Sequence, residues 1–188
     1  MQLSIVNIVK CLALTGGAFC LSTAKGQAAE TFLSPNVDML EYGVVCDYLP
    51  DGAAIPAPDT NAGQIRRGGD AILFDIETDI VPARVGVAFG IRVLLNDAFD
   101  THPVTMVTRH PTFGSQYLDS ESWQSTLTGG VTSSRYFVFE FEYELTPGLW
   151  TMDIYLDGDL LVRKGFDVVN PDQHPDLSDP CRGAAQIS

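Results

Sequence analysis

Basic residues are scarce in this chain. Its 188 residues hold 11 Lys+Arg against 24 Asp+Glu, a formal net charge of −13. Binding to nucleic acid relies on clustered Lys and Arg that displace counterions from phosphates, so no nucleic-acid partner is expected. Docking on an anionic membrane surface is disfavoured for the same reason. Long apolar runs are also missing. The one sustained stretch, Cys11 to Ala24, is 14 residues, short of the ~20 that cross a bilayer. Histidines number three and cysteines four. There is no HExxH, CxxC, GxSxG or DxDxDG pattern and no Gly-rich phosphate loop after a strand. Those absences remove the common metalloprotease, thiol-redox, serine-hydrolase, calcium-loop and nucleotide signatures. What remains is 45% hydrophobic and 19% charged, a globular composition.

The N-terminus differs from the rest. Lys10 is the only side-chain cation before the apolar stretch, which ends near Gly26-Gln27-Ala28 with small residues at −3 and −1. The pattern predicts a signal peptide over residues 1–28, cut after Ala28 or one residue later, with an uncleaved anchor as the alternative. No membrane span is expected after cleavage. Lys10 and Phe19, which precede Cys11 and Cys20, are too large for a lipoprotein site. Removing 28 residues leaves 160; Lys10 and Lys25 go but no acid does, so the charge falls to −15. Cys46 and Cys181 remain, and in a periplasmic or extracellular protein such a pair predicts one structural disulfide. It would staple a Pro- and Asp-rich tail to the domain and, by loop entropy, add about 5 kcal/mol. A metal or redox pair is the rival reading.

The body alternates apolar and polar residues with period 2, as half-buried strands require. Residues 135–144 are the clearest case: Phe137, Phe139, Phe141 and Tyr143 on one face, Glu140, Glu142 and Glu144 on the other. Further strands are expected at 37–46, 71–78, 87–95, 104–109, 149–156 and 160–169. Asp157-Gly158 supplies a tight antiparallel hairpin turn between the last two. Segment 47–69 predicts a long surface loop, 96–102 a shorter one, and 112–130 an edge hairpin or a mobile loop. About seven short strands indicate an all-β, antiparallel sandwich, with an open barrel as the structural alternative. The expected layout is a linker at 29–36, one β-sandwich domain at 37–169 and a tail at 170–188.

Two segments carry a resemblance: Val81-Pro-Ala-Arg-Val-Gly-Val-Ala-Phe-Gly-Ile-Arg-Val93, and Tyr143-Glu-Leu-Thr-Pro-Gly-Leu-Trp-Thr-Met-Asp-Ile-Tyr155 followed by Gly158 and Phe166-Asp-Val168. With Glu41-Tyr42-Gly43, they resemble the DUF3859 family of bacterial domains of unknown function. The resemblance spans about residues 36–169. It implies an immunoglobulin-like sandwich and brings no activity and no site residues; the cysteine pair is not part of its pattern. Taken directly, Pro147-Gly148 makes a corner, Trp150 enters the core beside Phe139 and Phe141, and Gly86 and Gly90 allow close backbone approach or a bulge.

His102, Met106 and His110 share strand parity and suggest a copper site. Residues four apart on a strand lie about 13 Å apart, however, while ligands converge within about 2.5 Å of one ion. Two surface or loop histidines are the expectation. Glu140, Glu142 and Glu144 could form a ladder with Asp153 or Glu77, serving as a calcium site, a face for a basic partner or a solvated strand face. No catalytic residue, cofactor or metal is assigned. The expected function is an exported, non-enzymatic binding or interaction module for a protein or glycan, with Glu140, Glu142 and Glu144 as the candidate face. The alternatives are a protease inhibitor acting through loop 47–69 and an enzyme of unrecognised type. A concave pocket holding His102 or His110 beside a carboxylate would mark the enzyme.

Overall fold

The computed structural model of the chain describes residues 30–49, 51–68, 72–97, 100–173 and 181. The expected signal segment with Ala28, and all of the tail beyond residue 173 except Cys181, lie outside the described residues.

Eleven strands form: β1 Thr31–Leu33, β2 Val37–Val45, β3 Ala53–Pro56, β4 Gln64–Arg67, β5 Ile80–Pro82, β6 Ala88–Leu95, β7 Thr101–Arg109, β8 Ser120–Thr128, β9 Ser133–Val138, β10 Gly148–Leu156 and β11 Asp159–Val169. One sheet runs β1-β11-β10-β7-β8, and a second runs β2-β6-β9. The free side of β11 is shared: β1 pairs antiparallel with its first half, and β5 pairs parallel with its last residues. Strands β3 and β4 form a separate hairpin. The two sheets stack as an immunoglobulin-like sandwich, antiparallel apart from β5.

The core is the interface between the sheets. Phe89 of β6 lies 5.0 Å from Phe166 of β11, 5.5 Å from Phe139 and 5.7 Å from Trp150, ring centre to ring centre. Trp150 is fully buried, and its indole N–H donates to Thr146 O at 3.1 Å. Lys164, 2% exposed, lies among these apolar groups. Its ammonium sits 3.9 Å from the centre of the Tyr42 ring and 3.0 Å from Asp79 Oδ2, so the buried charge is paired, as it must be.

Several expectations change here. Residues 31–33, read as linker, form β1. The 71–78 segment buries Ile72 and exposes Leu73, yet it makes only an isolated bridge from Ile76 to Val44. Loop 47–69 contains the β3–β4 hairpin, and 112–130 supplies β8. The strand expected over 135–144 stops at Val138. Its partner β6 starts only at Ala88, after a turn at Val85-Gly86, so Glu140 and later residues have nothing to pair with. Gly86 occupies a turn with φ +88, whereas Gly90 meets the backbone of β9 closely. The Asp157-Gly158 hairpin forms as expected, with φ of 52° and 90°.

Candidate functional site

A cleft of about 240 Å³ opens where the β3–β4 hairpin leans over the β8 and β9 end of the sandwich. Its walls follow from strand geometry. On β8, the side chains of Glu121, Trp123 and Ser125 share a face by period 2, and all three line the cleft. The hairpin is tied to β8. Ser122 N donates to Asp59 O at 3.0 Å, Asn61 N donates to Glu121 Oε2 at 2.8 Å, and Leu118 N donates to Asn61 Oδ1 at 2.8 Å. The segment expected as a long surface loop is therefore a docked wall.

Three carboxylates, Glu121, Glu140 and Glu144, and three guanidinium groups, Arg66, Arg67 and Arg135, line the cleft. Glu144 is 5% exposed. Its Oε2 accepts the backbone N–H groups of Glu140 at 2.7 Å and Phe141 at 3.0 Å. Burial is the main cause that pushes its pKa up to about 7; Glu121 and Glu140 add to the rise, and the two backbone donors oppose it. Burial likewise pushes the Tyr143 phenol up to about 12. Glu121 is held from behind by His110, whose Nε2 lies 3.1 Å from Glu121 Oε1 and whose Nδ1 lies 2.9 Å from Pro111 O.

Arg135 of β9 is the principal cation. Its guanidinium donates to Thr126 O at 2.7 Å, Ser125 Oγ at 3.0 Å and Ser134 O at 2.6 Å. Its Nε has no partner. All of those acceptors are neutral, and among the described residues no carboxylate pairs with Arg135 or with Arg67. Burial and the neighbouring Arg67 lower the Arg135 pKa. Arg66 also lines the cleft and reaches Glu140 at 3.4 Å across an exposed surface.

The three glutamates singled out from sequence do not share a face. Glu142–Glu144 is a 3-10 turn, Glu142 is exposed, Glu140 faces Arg66, and Glu144 is turned inward. The missed signal is an acid three residues after the residue that starts the turn, the reciprocal half of a capping box. It is hidden because Phe141, not Ser or Thr, occupies the first position. Phe141 is 45% exposed instead of packing beside Trp150; it stacks on Tyr143, which stacks on Tyr117. Asp153 does not join the glutamates either. It is fully buried and held by Arg109, by two 2.8 Å bonds from Arg163, and by the Tyr155 hydroxyl at 3.1 Å.

His102, Met106 and His110 do not converge. His102 pairs with Asp97, and Met106 is in the core. His110, expected at the surface, is buried and stacked on Phe113 at 3.9 Å. Cys46 and Cys181 are disulfide-bonded, with Cα atoms 4.9 Å apart.

No curated protein matches the chain. Among solved structures, an immunoglobulin-like protein from Pseudomonas aeruginosa is 21% identical, with a TM-score of 0.45; the match covers 77% of this chain and 100% of that one. The domain of unknown function DUF3859 matches over residues 33–168, from the end of β1 to the end of β11, and the chain belongs to that family.

Proposed function

We propose that the protein is an exported, non-enzymatic binding module and that its ligand site is the cleft between the β3–β4 hairpin and strands β8 and β9. The observation that carries this reading is Arg135. A half-buried guanidinium without a counter-charge is costly, and in a chain of net charge −13 an acidic partner for it would be easy to supply. A cation left open in a cleft is suited to an anionic ligand, which would neutralise it on binding. The Cys46–Cys181 bond and the signal-like N-terminus support an oxidising compartment, periplasmic or extracellular.

Binding is favoured over catalysis because His110 is enclosed by aromatic rings, with both ring nitrogens engaged. It meets the sequence criterion of a histidine beside a carboxylate, but it stands behind Glu121 and does not line the cleft. The inhibitor reading weakens because the hairpin that would act as its loop is bonded to β8. The test is titration of the ¹⁵N-labelled protein with glutarate, a small dicarboxylate. Saturable shifts centred on the Arg135 Nε–H and the Trp123 indole, lost in a folded Arg135→Gln variant, are expected. Absence of a saturable shift at those groups would overturn the assignment.

A further inference from the structure

The way strand β9 meets the cleft narrows the kind of ligand. Residues 134–138 are consecutive, and all five line the cleft. Successive side chains of a strand point to opposite faces, so a surface lined by five in a row runs along the strand's edge. Residues 64–68, spanning β4, line the opposite wall in the same unbroken way. Among the described residues, both edges lack a strand partner on the cleft side: β9 pairs with β6, and β4 with β3. The floor is one face of β8.

The backbone groups of β9 that face the cleft follow from the register. Phe139 N donates to Val87 O at 3.0 Å, and Phe139 O accepts from Gly86 N at 2.9 Å, so Phe139 turns its peptide groups toward the β6 side. The pairing from Ser133 to Val138 has no register shift. With a repeat of two, Arg135 and Phe137 also turn toward β6, and Ser134, Tyr136 and Val138 turn their N–H and C=O groups to the cleft. The Ser134 carbonyl is met there by the Arg135 guanidinium at 2.6 Å. Arg66, Arg67 and Arg135 line this channel together with Glu121, Glu140 and Glu144; Arg66 is taken up by Glu140, which leaves Arg67 and Arg135 as the cations without a carboxylate among the described residues.

A row of backbone donors and acceptors at two-residue spacing is what an added strand satisfies, and the arginines supply a matching charge. Resting on the reading that the cleft is the ligand site, we propose that it takes an acidic polypeptide segment in extended form, added as a strand along the open edge of β9 with its carboxylates toward Arg67 and Arg135. A sugar acid could meet the arginines, but it has no regularly spaced peptide groups to meet Ser134, Tyr136 and Val138.

The experiment uses the full protein and five probes: a blocked peptide of about six residues alternating Glu and Val, its two versions N-methylated at one or the other alternate set, a Lys-Val peptide of the same length, and oligogalacturonate of similar charge. The plain peptide is expected to bind and to protect the Tyr136 and Val138 amides from exchange. Methylating the set that faces β9 should weaken binding by about tenfold or more, the loss of two or so backbone hydrogen bonds, while methylating the other set leaves it unchanged. Arg67→Glu, an exposed substitution that keeps the core, should reverse the preference toward a Lys-Val peptide. Equal binding of the two methylated forms would overturn strand addition. Cleft shifts with oligogalacturonate alone would overturn strand addition while leaving the cleft as the ligand site, and no cleft shift with any probe would remove both.

Discussion

Glu144 concentrates the physical conflict of this protein in one side chain. Its carboxylate is out of water, and it is used by the two N–H groups that β9 leaves unpaired where the strand ends. Bonds from N–H groups favour the charged form, whereas burial and the nearby Glu121 and Glu140 favour the neutral one; burial prevails, and the folded pKa stands at about 7 against an ordinary value of 4.5. An acid whose folded pKa is raised makes the native state hold its proton more tightly than the unfolded chain does. Below pH 4.5 the group is neutral in both states and adds no penalty. Stability falls as pH rises from 4.5 to 7, and above 7 the full penalty is present, up to about 3 kcal/mol. Glu144→Gln keeps an oxygen for Glu140 N and Phe141 N but cannot ionise. Urea unfolding should therefore show the variant and the wild type nearly equal at about pH 4, with the variant ahead by as much as about 3 kcal/mol at about pH 8. A difference independent of pH would refute this account.

Strands β6, β9, β10 and β11 were legible in the sequence because each carries an apolar side chain at alternate positions: Phe89, Ile91 and Val93, or Trp150, Met152 and Ile154. The turn between β10 and β11 was legible because Asp-Gly accepts positive φ. Alternation cannot report where a partner strand runs out, and so the Phe137-to-Tyr143 pattern overshot β9 and created a glutamate ladder that the fold does not contain. Strands β1, β3, β4 and β5 are three or four residues long, too short for a period to show. Strand β8 was obscured because the polar Ser122, Gln124 and Thr126 are interleaved with Glu121 and Ser125, themselves polar. Of these, β4 and β8 build the cleft together with β9, so the site was less visible than the core.

The two glycines of the Val81-to-Val93 segment separate at this scale. A Cβ at Gly90 would stand 2.1 Å from Arg135 O and 2.6 Å from Tyr136 Cα, pressing β9 away from β6. A Cβ at Gly86 would meet nothing within 4 Å, so there only the φ of +88° resists a side chain. Gly86→Ala should cost about 1–2 kcal/mol. Gly90→Ala should cost more, about 2–4 kcal/mol, because backbone and not a flexible side chain must shift. It should also shift the amide resonances of residues 134–138. Thermal unfolding of the two variants gives the order, and an equal or reversed ranking would contradict the close approach.

For the molecule as a whole, charge and covalent closure act together. With a net charge of −13, the folded chain works against its own repulsion, and ordinary salt screens only the more distant part of it. Many of the described cations are already spent on single acids: Arg92 on Glu41, Arg84 on Asp47, Lys164 on Asp79, and Arg109 and Arg163 on Asp153. The disulfide opposes unfolding without adding charge. It joins the residue after β2 to one beyond β11 across a separation of 135 residues, and so encloses nearly the whole sandwich. Closing a loop of that size removes about 5 kcal/mol of unfolded-chain entropy, less any cost in the native state. The double variant Cys46→Ser/Cys181→Ser should lose stability of that order in urea unfolding. A reductant should lower the wild type toward the variant and leave the variant unchanged. Intact-mass measurement without reduction should find no free thiol at either position. Two alkylatable thiols, or a variant as stable as the wild type, would show that the closure contributes nothing and that the sandwich holds its ends by strand pairing alone.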